Sequence, residues 1–178
     1  VGSRCPHVRA GVGAVATQNI TDPHLATLVL DAMQAGADAA SAIASVSKGR
    51  AFIDYRQLTA VDARGTTAQF TGKNILGTHA ISQRNDCVAA GNLLSHDGVA
   101  KAITDGFEAD PTAHLGERLM QALEGGLASG GEMGPVHSAA LLVADKMPFA
   151  LVDLRVDWHD ENPVAELRKL WTAYRPQM

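Results

Sequence analysis

The chain has 178 residues, 46% hydrophobic and 19% charged, with a formal net charge of -4, which suits one ordinary domain around a single core. Acidic and basic residues are interspersed, so no basic face for neutralising phosphates is written into the composition, and nucleic acid is not an expected partner. No apolar run approaches the roughly 20 residues of a membrane span, and the opening stretch VGSRCPHVRAG lacks the apolar core of a signal peptide, so a cytoplasmic protein without a membrane partner is expected.

In chain order, GVGAVATQ (residues 11–18) is a Val and Ala run with small residues between, the pattern of a buried strand. TDPHLATLVLDAMQAG follows, with Thr21 or Asp22 as N-cap, Pro23 near the first helical position, apolar residues at helical spacing and a stop at Gly36. A second, Ala-rich helix over ADAASAIASVSK is capped by Asp38 and ends before Gly49. YRQLTAVD and TTAQFTG then form a strand pair around the turn residues DARG. The stretch 73–86, KNILGTHAISQRND, is polar without a period and reads as a long loop, a place where function concentrates.

CVAAGNLL reads as a further buried strand, followed by helices over DGVAKAITDGFEA and AHLGERLMQALEGGLASGG, the second with Leu115, Leu119, Met120, Leu123 and Leu127 on one face. HSAALLVADK and FALVDLRVDW form a second apolar strand pair turning at Asp145–Pro148, and NPVAELRKLWTAYR closes the chain as a helix. Hairpins stand where a doubly wound fold would place crossovers, so the order predicts stacked layers of antiparallel sheet and helix.

Cys5 and Cys87 are too few and too far apart to frame a disulfide scaffold, and read as reduced structural residues. The seven histidines include no helical pair at metal-ligand spacing, so neither a metal nor a cofactor is expected. His137 and Ser138 are adjacent, so in an extended strand they point to opposite faces and do not form a nucleophile and base pair. Ser138 reads as a small packed strand residue, and His137 as either a cap of the glycine-rich loop 130–134 or the lining of a pocket. Glu132 in that loop is a further pocket candidate. Arg56 and Arg155 lie in otherwise apolar strands; each asks for a carboxylate, either an ion pair with Asp54, Asp153 or Asp157 or, for Arg56, a substrate carboxylate.

The blocks VGSRCPHVRAGVGAVATQNITDP, YRQLTAVDARGTTAQFTG, DCVAAGNLL, GGEMGPVHSAALLV and VDLRVDWHDENPVAELRKLW resemble, in the same order, those of the DUF1028 family, which is grouped with the N-terminal-nucleophile (Ntn) hydrolases. The resemblance covers nearly the whole chain. It implies an α+β fold, a four-layer αββα sandwich of two antiparallel sheets flanked by helices, and a site that hydrolyses an amide or related C–N bond of a small molecule. Family members begin with an additional strand pair, and the superfamily nucleophile is a Thr, Ser or Cys at the processed amino terminus, whereas residue 1 here is Val. The expectation is a single Ntn-like domain over 1–178 that lacks its natural N-terminal strands, its nucleophile and a C-terminal tail, or else a family that does not use this chemistry.

Chemistry of that kind needs polar groups on neighbouring strand ends to stabilise an oxyanion. Thr17, Gln18 and Asn19 at the end of the first strand and Asn92 in AAGNLL are the candidates, Thr17 and Asn92 for catalysis, and Gln18 and Asn19 with Arg56, Glu132 and His137 for substrate binding. Thr17 and Asn19 read equally well as turn and cap residues. Asn92 closes an apolar run, where an unpaired amide is costly unless it has a partner or a role. Two other readings are a non-catalytic small-molecule binder on the same scaffold and a module whose sheets build an oligomer. A homo-oligomer is expected from the Ala-rich segment 37–47 and from Trp158 and Trp171.

Overall fold

The computed structural model describes residues 3–178. Eight strands among them form antiparallel pairs: β1 (Pro6–Arg9) with β2 (Gly13–Gln18), β3 (Gln57–Asp62) with β4 (Thr67–Thr71), β5 (Ala80–Arg84) with β6 (Cys87–Gly91), and β7 (Ala139–Ala144) with β8 (Ala150–Val156). β2 also pairs with β3, so the first four strands make one sheet in the order β1-β2-β3-β4, while the other two pairs stand as two-stranded sheets. The helices are α1 (Pro23–Gln34), α2 (Ala39–Ser47), α3 (Gly98–Glu108), α4 (Leu115–Ala128) and α5 (Pro163–Tyr174). The protein is thus α+β, with antiparallel sheets and five helices among the described residues.

Local chemistry sets the helix starts. Asp22 accepts from His24 N at 3.2 Å, Asp38 from Ser41 N at 2.7 Å and Asn162 from Ala165 N at 2.9 Å, each satisfying an amide that the helix leaves unpaired. Pro23 and Pro163 open α1 and α5, where the missing N–H costs nothing. Leu25, Val29, Ile43 and Val46 of α1 and α2 bury against Val15, Leu58, Ala60 and Ala68 of the four-stranded sheet. A second cluster joins Met120 of α4, Leu141, Val143 and Val152 of the β7–β8 pair, and Leu167 and Trp171 of α5.

One strand adds to the expected elements, and two expectations are corrected. Residues 6–9 form the edge strand β1, which Pro6 tolerates because it needs no ladder hydrogen bond on its outer side. The stretch 73–86 is not all loop: it contains β5, paired with β6 through a turn in which Asp86 has φ 62. The interface expected from 37–47 and Trp171 is occupied internally, since Ala39, Ala42 and Ile43 are core residues and Trp171 has no exposed surface. Trp158 is 67% exposed.

At the end of β3 the nearly buried Asp62 carboxylate accepts from Arg64 N at 2.9 Å, Thr66 N at 3.1 Å, Ala39 N at 3.3 Å and the Arg64 guanidinium at 3.3 Å. Burial pushes this carboxyl up, but the hydrogen bonds from Arg64, Thr66 and Ala39 outweigh it and hold the pKa below the ordinary aspartate value. A depressed folded pKa stabilises the fold above the unfolded value of about 3.9 and loses that contribution as pH falls through the folded one. Asp62→Asn is therefore expected to flatten the loss of stability on acidification below about pH 4. Urea midpoints against pH that fall equally steeply in both proteins would show that Asp62 does not carry the acid sensitivity.

Candidate functional site

All four hairpins turn at one end of the molecule. Ala63 N donates to Val12 O at 2.9 Å, joining the β1–β2 and β3–β4 turns, and Asp86 N donates to Gly65 O at 3.1 Å, bringing in the β5–β6 turn. The β7–β8 turn faces the first across a recess of about 510 Å³ lined by Arg9, Val12, Lys146, Met147 and Phe149. None of the candidate residues lies there. The free strand ends gather at the opposite end, where connecting segments are stitched together: Leu76 N to Asn19 Oδ1 at 3.2 Å, Leu93 N to Leu76 O at 3.1 Å, and Met133 N to Leu93 O at 2.7 Å. Functional residues held on loops by a rigid scaffold follow this plan.

Strand parity decides which side chains face the space between the sheets. Val15 and Leu58 bury against α1 and α2, so Thr17 shares their side, and Gln18 and Gln57, their strand neighbours, face the other way. Thr17 is fully buried, with its hydroxyl donating to Asp22 O at 3.3 Å, and so is not presented to the opening. Gln18 and Gln57 are paired in register, and Gln57 with Thr71. Gln18 Nε2 donates to Gln57 Oε1 at 2.7 Å, and Gln57 Nε2 to Thr71 Oγ1 at 3.4 Å. Gln57 has no exposed surface. Gln57 and Thr71 are not among the residues that the sequence singles out; the one signal is a glutamine at the head of the β-type run QLTAV.

Asn19 is 7% exposed and takes the left-handed conformation, φ 57, which asparagine tolerates better than most residues. Its Nδ2 donates to Tyr55 O at 2.7 Å while Oδ1 holds Leu76 N, so it clamps three segments together. Gly72 lies tight against the neighbouring Asp54 backbone, where any Cβ would stand 2.2 Å from Asp54 O. Arg56 precedes Gln57 and points to the helix side of the sheet, away from the paired amides. Its expected ion pair is absent among the described residues: Lys73 holds Asp54 at 3.2 Å and Arg155 holds Asp157 at 2.6 Å. Nη1 of Arg56 is buried without a hydrogen-bond partner.

Asn92 follows β6, half-buried, and its carboxamide makes no hydrogen bond among the described residues; Leu93 beside it is exposed with φ 52. Glu132 pairs through its backbone with Leu94, so the Asn92 and Glu132 segments run side by side. Glu132 is exposed as a residue, but burial of its carboxyl raises the pKa above the ordinary carboxylate value. With Pro135, Val136, Asn162 and Pro163 it lines a recess of about 350 Å³ at the start of α5. His137 stacks on Trp158 with ring centroids 4.1 Å apart, and its Nδ1 lies 3.0 Å from His159 O. A carbonyl only accepts, so Nδ1 carries the proton of this contact. Ser138 falls on the opposite face from His137, one residue ahead of β7.

Burial raises the Cys5 thiol and pushes Cys87 up to about 11, so neither supplies a thiolate near neutrality. Among the described residues no group of three His, Cys, Asp or Glu is placed to hold a metal, and no helix is long and apolar enough to cross a membrane.

Fold and site together define an α+β protein whose antiparallel strand pairs open toward one loop-rimmed end. The chain matches the family described as a family of unknown function, DUF1028, over residues 1–167, and it belongs to that family. It is similar to the crystal structure of a DUF1028 protein from Silicibacter pomeroyi, with 28% identity and a TM-score of 0.89 over 97% of this chain and 74% of that one. No curated protein matches it.

Proposed function

We propose that this protein is an amide or related C–N bond hydrolase acting on a small molecule in the cytoplasm, built as an Ntn-type four-layer αββα sandwich. The packing that supports this layering is α1 and α2 against the four-stranded sheet, β3 and β4 of that sheet against β5–β6, β1 against β7, and α3, α4 and α5 backing the two hairpins. One observation carries the functional reading: every strand pair opens at the same end, where Gln18 closes β2, Gln57 opens β3 and Asn92 follows β6 with its carboxamide unpaired among the described residues, and where the connecting segments are joined through Asn19, Leu76, Leu93 and Met133. Asn92 takes the role of oxyanion donor, because an amide N–H held by a packed scaffold stabilises developing negative charge without reorganisation. Asn19 positions the 72–79 segment rather than touching substrate. The nucleophile is not among the residues assigned here; Val1, on which a terminal nucleophile would turn, lies outside the described residues.

Turnover of a panel of small amides and lactams by the purified protein tests this. Release of amine or ammonia above the uncatalysed rate is expected, and its absence across the panel overturns the reading. A binding or oligomer-forming domain is the second reading, favoured by Ile20, Leu76, Leu93, Met133 and Trp158, which expose large apolar side chains around the same end. Sedimentation as a dimer or larger, with no turnover, would select it.

A further inference from the structure

We infer that Gln18 is a recognition group for a neutral amide, so that the site takes small amides and lactams and rejects carboxylates and ammonium ions of the same size. This deepens the hydrolase reading and rests on it for the location of the site. Gln18, Gln57 and Thr71 stand side by side on β2, β3 and β4, in register, on the face of the sheet turned away from α1 and α2. Their hydrogen bonds run in one direction: Gln18 Nε2 to Gln57 Oε1 at 2.7 Å, Gln57 Nε2 to Thr71 Oγ1 at 3.4 Å, and Thr71 Oγ1 to Gln69 Oε1 at 3.4 Å. Aligned bonds of this kind polarise one another. Gln57 is wholly buried and cannot exchange these partners for water, so it fixes the orientation of its neighbour.

The row ends at Gln18, which is half-buried at the open end of β2. One Nε2 hydrogen is taken by Gln57, and its Oε1 has no partner among the described residues. The free edge of Gln18 therefore presents one acceptor and one remaining N–H, the complement of the N–H and C=O of an amide. Charge reinforces the choice. The row itself is neutral, Arg56 lies on the other face, and Arg155 is paired with Asp157 at 2.6 Å. A carboxylate would set its charge against Oε1, and the cation nearest in strand register, Arg4, is turned to the Thr21 carbonyl at 3.3 Å, while an ammonium would give up solvation for a neutral acceptor. Both lose to a group that is itself neutral.

The test uses three probes of equal carbon number on the isotope-labelled chain: δ-valerolactam, valerate and pentylammonium, with the side-chain amide signals of Gln18 and Gln57 followed by NMR. Lactam alone is expected to move the Gln18 signal saturably. Gln18→Leu should weaken lactam binding about tenfold, the scale of one neutral hydrogen bond. Gln18→Glu, which keeps the shape and adds a charge, should shift the preference toward pentylammonium by a similar factor, and it serves if the leucine variant does not fold. Valerate binding as well as the lactam would mean that the row runs the other way, and it overturns the inference. So do lactam binding unchanged in Gln18→Leu and failure of all three probes to bind. Lactam binding through Gln18 without turnover of any amide removes the hydrolase reading alone; turnover of a substrate indifferent to Gln18 removes this inference alone.

Discussion

Replacing Trp171 by alanine is expected to cost about 3–5 kcal/mol of folding stability, seen as a lower urea midpoint at unchanged slope. Trp171 has no exposed surface and packs with Met120, Leu141, Val152 and Leu167. Its ring also stacks on His114 with centroids 5.5 Å apart, and its indole N–H donates to Glu117 Oε2 at 2.7 Å. Glu117 is in turn held at 2.8 Å by Arg168, which reaches Glu124 at 2.7 Å, so Trp171 and Arg168, one turn apart on α5, close the apolar and the ionic contact with α4 and share Glu117. The local sequence makes room for the ring: a Cβ at Gly116 would stand 2.6 Å from Trp171 Cη2. Alanine therefore leaves a cavity and an under-bonded carboxylate together, while Trp171→Phe, which keeps most of the volume, should lose only the hydrogen bond, about 1–2 kcal/mol. A loss below about 1 kcal/mol for Trp171→Ala would mean that this cluster is not the core of the second half of the chain.

The same contrast between local and distant partners explains what the sequence makes legible. Helix starts are legible because an Asp or Asn cap followed at once by Pro or Ala acts within one turn, as at Asp22, Asp38 and Asn162. β5 is not, because Ala80-Ile81-Ser82-Gln83-Arg84 is a half-exposed strand with one β-branched residue, whose register comes from β6 and whose Ser82 hydroxyl meets Thr104 of α3 at 2.7 Å. β1 is hidden in the same way by Pro6 and by its dependence on β2.

Within the site, strand parity alone sorts the residues by face. It separates His137 from Ser138 correctly, and the same rule places Thr17 beside Val15 on the apolar side, leaving Gln18 on the other. The partners of Gln18 were not available, since Gln57 is 39 residues away and its own partner Thr71 is 14 further on. Sequence names the polar residues at strand ends; only tertiary pairing says which are already satisfied. Asn19 is satisfied on both sides of its amide by Tyr55 O and Leu76 N, whereas the Asn92 carboxamide has no hydrogen-bond partner among the described residues.

That difference sets the last expectation. Replacing Asn92 by alanine should lower kcat by about 10², the effect of losing one oxyanion donor, with little change in stability. The reasoning is that a carboxamide with no partner in the fold contributes little to folding, so its removal is felt only when a ligand presents an oxygen to it. Asn92→Asp should be as damaging as alanine or worse, because it replaces the donor with a negative charge aimed at a developing one. Ser138→Ala is the control: Ser138 stands one residue ahead of β7 as a small packing residue, and the loss of a single oxygen should leave the rate within about threefold. The measurement is kcat and KM for whichever amide or lactam is turned over, alongside urea midpoints for all three variants. A normal rate in Asn92→Ala, or a well-folded but inactive Ser138→Ala, would show that the oxyanion is met by Ser138 and its neighbours on the β7 side of the opening instead of by the segment that follows β6.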